Sequence, residues 1–353
     1  MTTRFQQMFH LDVPIIQSPM AGVQDSKLAI AVCHAGAMGS LPCAMLTAEQ
    51  IDQQLGLIQR ATDKSYNVNF FNLEPPEPDR QRETAWKQAL TPFYQEYDIS
   101  PDTVPDAECE DGPFDSEKLA VLEKYRPAMV SFHFGLPDAD TLGVLRDMGA
   151  RIMCSATTVA EAVWLESAGV DAIIAQGVEA GGHRGMFLSD DVTTQMGTFS
   201  LLPQIVDAVN LPVIAAGGIA SQQGVSAALQ LGASAVQIGT TFLLCDEADT
   251  SAVHRAALKS PDSVHTAVTN RFSGRPARSI ANRLIKELGA MGDQEMPPFP
   301  MAYTALSPLR AKAESNGSGD FTPLWSGQNN SACEEIPAAR MIEKLTPVSA
   351  RIS

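Results

Sequence analysis

The sequence predicts an α/β fold: a TIM-type (β/α)8 barrel with a long insertion after its third strand and a C-terminal helical cap. Three observations lead there. Eight short apolar runs recur along the chain, most are followed by a helical pattern, and glycine-rich turns follow the last two. Runs apolar on both faces suit parallel strands covered by helices. Eight alternating units spread over about 230 residues close a barrel. An open doubly wound sheet would not require eight units, and no G-x-G-x-x-G fingerprint follows the first run.

The strands are expected at residues 14–18, 37–41, 67–71, 128–134, 151–155, 172–176, 213–216 and 235–239. Thr47-Ala-Glu-Gln50 and Thr158-Val-Ala-Glu161 read as capping boxes that open helices. Gly169 and Gly232 stand where helices should end before the next strand. Residues 73–127 are too long for one connection and carry Pro75, Pro76, Pro78, Pro92, Pro101, Pro105 and Pro113. Helices are expected there near 83–97 and 116–125, with an acidic irregular stretch between them. Beyond about residue 260 come an amphipathic helix near 280–288, the Met296-Pro-Pro-Phe-Pro300 break and a polar turn at 315–320. The chain therefore divides into a barrel at 1–260, with its insertion at 72–127, and a cap at 261–353 folded onto the barrel mouth.

Composition narrows the partners. The 353 residues are 44% hydrophobic, which excludes a largely disordered chain. The formal charge of −16 argues against non-specific nucleic-acid binding or a polybasic membrane contact. Residues 1–10 lack the apolar core of a signal peptide, and no apolar run approaches the ~20 residues of a membrane span. A cytoplasmic protein, monomeric or homodimeric, is expected. The six cysteines form no C-x-x-C pair, which suits a reduced compartment. Cys43 and Cys154 lie near strand ends but read first as small buried hydrophobes. No metal site is visible.

Barrel chemistry belongs at the C-terminal strand ends, with phosphates often bound after strands seven and eight. Ala216-Gly217-Gly218-Ile219 and Gln237-Ile238-Gly239-Thr240 occupy those two places. Glycine lets backbone N–H groups approach a phosphate, and the helix after Ser221 adds a favourable dipole. Gly181 and Gly182 offer a third close approach after strand six. Amide side chains on Gln17, Asn69 and Gln176, with the turn Pro19-Met20-Ala21-Gly22, suit the alternating carbonyls and nitrogens of a flavin edge. Together they suggest FMN. Two histidines stand at the same end. His133 is near the end of strand four, by alternation on one face with Ser131 and Gly135, and His183 is on the loop after strand six. Either can take up a proton or stabilise an anion near neutral pH. His10, His34, His254 and His265 are expected to be structural or exposed.

These residues resemble the FMN-dependent nitronate monooxygenases, in particular the bacterial class I group. Pro14-Ile-Ile-Gln-Ser-Pro-Met-Ala-Gly22, Gly36-Ala-Met-Gly-Ser-Leu41, Asn67-Val-Asn-Phe70, Val130-Ser-Phe-His-Phe-Gly-Leu-Pro137 and Gln176-Gly-Val-Glu-Ala-Gly-Gly-His183 carry the resemblance. Ala215-Ala-Gly-Gly-Ile219, Gln237-Ile-Gly-Thr240, Phe299-Pro-Met-Ala-Tyr303 and Trp325-Ser-Gly-Gln328 extend it to about residue 330. It implies that Asn69, Gln176, Gly181, Gly218 and residues 237–240 hold FMN, that His183 is the catalytic histidine, and that His133 and Tyr303 stand beside the substrate. It implies oxidation by O2 of alkyl nitronates of the propionate 3-nitronate type to carbonyl compounds and oxidised nitrogen, by one-electron reduction of the flavin. One position departs from the pattern. A lysine is expected four residues after Tyr303, where this chain has Ser307. Arg310 or Arg184 would be left to pair a substrate carboxylate.

Two other readings remain open on sequence. One is an NAD(P)H-dependent flavin reductase acting on enoyl thioesters or quinones; the other is a flavin-binding protein without catalysis.

Overall fold

In the computed structural model, residues 2–107, 114–291 and 296–347 are described. Eight parallel strands form the barrel: β1 (Ile15–Gln17), β2 (Gly39–Pro42), β3 (Tyr66–Phe71), β4 (Met129–His133), β5 (Arg151–Ala156), β6 (Ala172–Gln176), β8 (Val213–Ala216) and β9 (Ala235–Ile238). Their order is β1-β9-β8-β6-β5-β4-β3-β2. One parallel bridge, Ile16 to Met38, joins β1 to β2 and closes the ring. Its bonds run from Met38 N to Ile15 O and from Gln17 N to Met38 O, both 2.9 Å. All eight strands fall within a few residues of their expected places.

The barrel buries two apolar layers. Outward-facing side chains such as Val68, Phe70, Phe132 and Ile152 meet the surrounding helices. Inward, Ile16, Met38, Met129, Met153 and Ile214 pack on Phe5 and Phe9. The helix Arg4–Phe9 thus plugs the N-terminal end and leaves the other end for chemistry. Its capping box pairs Thr3 with Gln6. The expected boxes at Thr47 and Thr158 are both formed.

The insertion and the tail together build a second core. Helix Arg80–Glu96 of the insertion lies against helix Ala302–Ser315 of the tail, where Trp86, Leu90 and Tyr94 pack on Ala302, Ala305 and Leu309. Trp86 Nε1 donates to Ala302 O (3.1 Å), and Tyr94 Oη donates to Ala305 O (2.6 Å). Helix Ser116–Tyr125 has its expected bounds, while residues 108–113 of the acidic stretch lie outside the described residues.

The tail differs from expectation in two ways. The helix expected at 280–288 begins only at Arg283, because Ala277–Ile280 is a strand, β11. It pairs antiparallel with β10 (Thr266–Thr269) and with the two-residue β7 (Gly182–His183), placing Ala277 opposite His183. Ala277-Arg-Ser-Ile280 is too short and mixed to show a period, and only the partner strands decide. The last helix, Ala338–Leu345, lies on the barrel's outer wall against helices Ser26–His34 and Gln222–Gln230. No helix among the described residues is long and apolar enough to cross a membrane.

Candidate active site

A cleft enclosing about 1320 Å³, part of it open to solvent, occupies the C-terminal end of the barrel. Of the candidate catalytic and cofactor residues two do not line it: Gly22, whose φ of 80° turns the chain between Ala21 and Val23, and Gln17, whose buried amide donates to Gln24 Oε1 (2.6 Å) and accepts from Ser40 N (3.1 Å). Met20, Ala21, Asn69, His133, Gln176, Gly181, Gly182 and His183 share the wall with Gly217, Gly218, Gln237, Ile238, Gly239, Thr240 and Tyr303.

The two histidines differ in what their ring nitrogens do. His133 Nε2 donates to the backbone oxygen of His183 (3.1 Å), which fixes its tautomer. Its Nδ1, 3.0 Å from Ser155 Oγ, therefore accepts the serine hydroxyl. Both nitrogens of His133 are engaged within the protein. Gly185 makes room for this ring, since a Cβ there would lie 2.7 Å from His133 Cε1. The alternation that placed His133 with Gly135 stops at the strand end, because Phe134 and Gly135 turn away with φ of 70° and 93°. A positive φ at a bulky residue is a strained conformation, and the Arg275 guanidinium lies over the Phe134 ring at 4.3 Å.

His183 has one nitrogen tied, with Nε2 2.9 Å from Ser273 Oγ. Around its ring stand Phe299 at 5.0 Å and Trp325 at 5.2 Å between centroids. Its backbone is held from two more sides. Gln176 Nε2 donates to His183 O (3.0 Å), and Gly185 N donates to Gln176 Oε1 (2.8 Å). Gln176 lines the cleft, yet both ends of its amide brace the His183 loop.

Burial lowers the pKa of His183 to about 3, with His133 and Arg275 adding to the effect. Burial lowers His133 to about 4, partly opposed by its bond to His183 O. His254, bonded through Nε2 to Trp325 O (3.1 Å), is lowered to about 4 by the same cause. All three are neutral at pH 7. Burial raises the Tyr303 phenol above its ordinary range, so its hydroxyl keeps its proton.

These shifts set a pH dependence of stability. Above the ordinary histidine value of 6.5 both folded and unfolded chains hold the rings neutral, and their contribution is complete. As pH falls from there towards 4, the unfolded chain binds protons that the folded chain refuses, so stability is lost. Tm should fall over that window, and less steeply in His254→Gln. A Tm unchanged between pH 7 and 4 would contradict the burial of these rings.

The glycine loops line the same cleft. Gly217 and Gly218 have φ of 117° and 71°. A Cβ at Gly217 would lie 2.8 Å from Thr198 Oγ1, and one at Gly181 would lie 2.6 Å from Gly327 N. The tail stitches these loops together. Gly327 N donates to Thr240 Oγ1 (2.9 Å), and Asn329 Nδ2 donates to Gly218 O (3.0 Å). Gln237 Oε1 is buried without a hydrogen-bond partner.

No residue among the described lining carries a charge. The two arginines considered for a substrate carboxylate are engaged elsewhere. Arg310 Nε donates to Glu314 (2.8 Å), whereas Arg184 is buried outside the cleft lining and donates through Nε to Gln195 Oε1 and through Nη2 to Gln176 O, with Nη1 buried without a partner. Ser307 Oγ turns back to Tyr303 O (2.9 Å). Cys43 and Cys154 are buried, and burial raises both thiols. Cys109 lies outside the described residues.

Sequence reasoning missed Ser155, His254, Ser273 and Asn329. Each reaches the site by a tertiary contact, and none stands in a motif that chemistry alone would mark. Trp325 was part of a quoted motif, but nothing in its local pattern places it on His183.

This chain resembles known proteins in sequence and overall structure. The family model described as nitronate monooxygenase matches residues 2–347. A nitronate monooxygenase of Pseudomonas aeruginosa is 41% identical over 345 residues, 98% of each chain. Among solved structures, a nitroalkane oxidase from Streptomyces ansochromogenes superposes with a TM-score of 0.86 at 38% identity, covering 98% of each chain. FabK from Thermotoga maritima superposes with a TM-score of 0.73 at 25% identity, covering 99% of this chain and 96% of its own.

Proposed function

This chain belongs to the nitronate monooxygenase family, and from that premise we propose that its cleft binds FMN and oxidises alkyl nitronates with O2 to a carbonyl compound and oxidised nitrogen. The observation that carries the reading is one cleft lined both by the glycine loops and by a neutral histidine anchored through a single nitrogen.

The residues present fit the cofactor. The backbone at 217–219 and 239–240 suits a terminal phosphate, because side chains at Gly217 or Gly181 would collide with neighbouring chain. No acidic residue among the described lining repels it. Gln237 Oε1 is a buried acceptor that lacks a donor, and a flavin ring N–H would supply one. Met20, Ala21 and Asn69 would wall the ring, with Gly182 and Gly218 letting the chain approach. When bound, FMN supplies the electron acceptance that no side chain here provides.

The protein's own part is binding, exclusion of water and proton handling. Tyr303 keeps its proton and can donate it to an anionic substrate oxygen. Neutral His183 has one nitrogen free of the Ser273 bond, and it can take a proton from the substrate or return one to a product oxygen. Phe71, Phe299 and Trp325 shut water away from that ring. His133, engaged at both nitrogens, positions His183 rather than reacting. Nitronates with no second charge fit best, because the described lining offers no cation for a carboxylate such as that of propionate 3-nitronate.

Anaerobic stopped-flow mixing tests the reading. The purified protein should be yellow, should release FMN on acid denaturation, and should bleach rapidly with an alkyl nitronate. Bleaching by NADH instead would make it a reductase. A bound flavin that neither reagent reduces would refute catalysis of either kind.

A further inference from the structure

We propose that Ser273 is a positioning residue that holds His183 as its Nε2–H tautomer and so leaves Nδ1 as the ring's proton acceptor. This rests on the reading of His183 as the proton-handling residue of the cleft. Ser273 is fully buried on the turn between β10 and β11. Its hydroxyl has one proton and two lone pairs. The Arg275 carbonyl lies 3.2 Å from Oγ and takes that proton. What remains is acceptor capacity. Arg275 N donates to Oγ from 3.3 Å, and His183 Nε2 stands 2.9 Å away. An oxygen whose proton is directed at a carbonyl receives hydrogen from the imidazole, so Nε2 carries the hydrogen in the neutral ring.

The serine is held in place from both directions along the chain. Gly274 N donates to Asn270 O (2.8 Å), closing the turn. Four residues past Ser273, Ala277 pairs with His183 in the β7–β11 register, and Arg184 N donates to Pro276 O (2.8 Å). The same hairpin therefore fixes the backbone of His183 and the tautomer of its ring.

Nitrogen NMR of protein carrying 15N-labelled histidine reads the tautomer directly, and the chain has only six histidines to assign. In the FMN-loaded wild type, His183 should show a protonated Nε2 and an unprotonated Nδ1. Ser273→Ala should move the two signals towards a mixture of tautomers. It should also lower kcat for an alkyl nitronate about tenfold, the scale of one hydrogen bond, with KM little changed. Ser273→Thr keeps the hydroxyl and should restore both. A wild-type ring protonated at Nδ1, or a Ser273→Ala spectrum identical to wild type, would overturn the proposal. If the tautomer shifts as expected but no nitronate is turned over in any variant, Ser273 still sets the ring and the nitronate reading alone fails.

Discussion

His183→Asn should retain bound FMN and a native melting profile while kcat/KM for alkyl nitronates falls by about 10²-fold or more, the usual scale for a positioned acid–base group. The ring lines the cleft from β7, and among the described residues only its Nε2 has a hydrogen bond to a protein side chain. Asparagine keeps approximate size and hydrogen-bonding capacity but cannot take up a proton near neutral pH. Because burial holds the His183 pKa at about 3, its neutral form persists through the physiological range. This ring should accordingly produce no inflection in wild-type kcat/KM between pH 5 and 8, with base-dependent activity lost only as pH falls towards its pKa. Flavin absorbance and Tm serve as controls. Near-normal turnover by a flavin-loaded His183→Asn protein would remove His183 from the chemistry. His133 would be a poor replacement, since both its nitrogens are engaged.

The largest expected effect on stability lies one layer behind the site, at Glu161. This carboxylate is 1% exposed. Oε2 accepts from Thr157 N (2.6 Å), Thr157 Oγ1 (2.7 Å) and Thr158 N (3.2 Å). Oε1 accepts from Phe187 N (2.7 Å) and Leu188 N (3.2 Å). Glu161 thereby ties the end of β5 to the segment that follows His183. Glu161→Ala strands several buried donors at once, each worth about 1–3 kcal/mol, so a loss of roughly 3 kcal/mol or more is expected. Chemical denaturation would measure it. Glu161→Gln keeps one carbonyl oxygen and should fall between wild type and Ala. A Glu161→Ala midpoint equal to wild type would show that the 185–188 segment is held by other means.

Glu161 also shows how far the sequence reads. Its place at the third position of a helix opened by Thr158 is visible as a capping box, and that box is formed. Its hold on Phe187 and Leu188, 26 and 27 residues away, is not. The same division runs through the site. The strand ends and glycine loops follow from short-range pattern and barrel topology, and with them the gathering of Asn69, Gln176, His183 and residues 217–218 and 237–240 in one cleft. The placement of His133 with Gly135 did not survive, because strand alternation carries no information past the last paired residue.

By itself the sequence determined the barrel, its eight strands, the end of it that bears the chemistry and the family resemblance. The barrel and its strands rest on periodicity, caps and glycine turns, which act within a few residues and are written locally, and the resemblance rests on the motifs between Pro14 and Gln328. The tertiary structure alone decided which nitrogen of which histidine is available, that Gln176 braces a loop, and that Arg184 and Arg310 are occupied. It also decided that Ser273, Trp325 and Asn329 reach the cleft from the tail. Several of those contacts span 50, 90 and 111 residues of chain, at His133, Ser273 and Asn329, and even the short ones at Gln176, Arg184 and Arg310 are chosen by packing and burial and not by a local pattern.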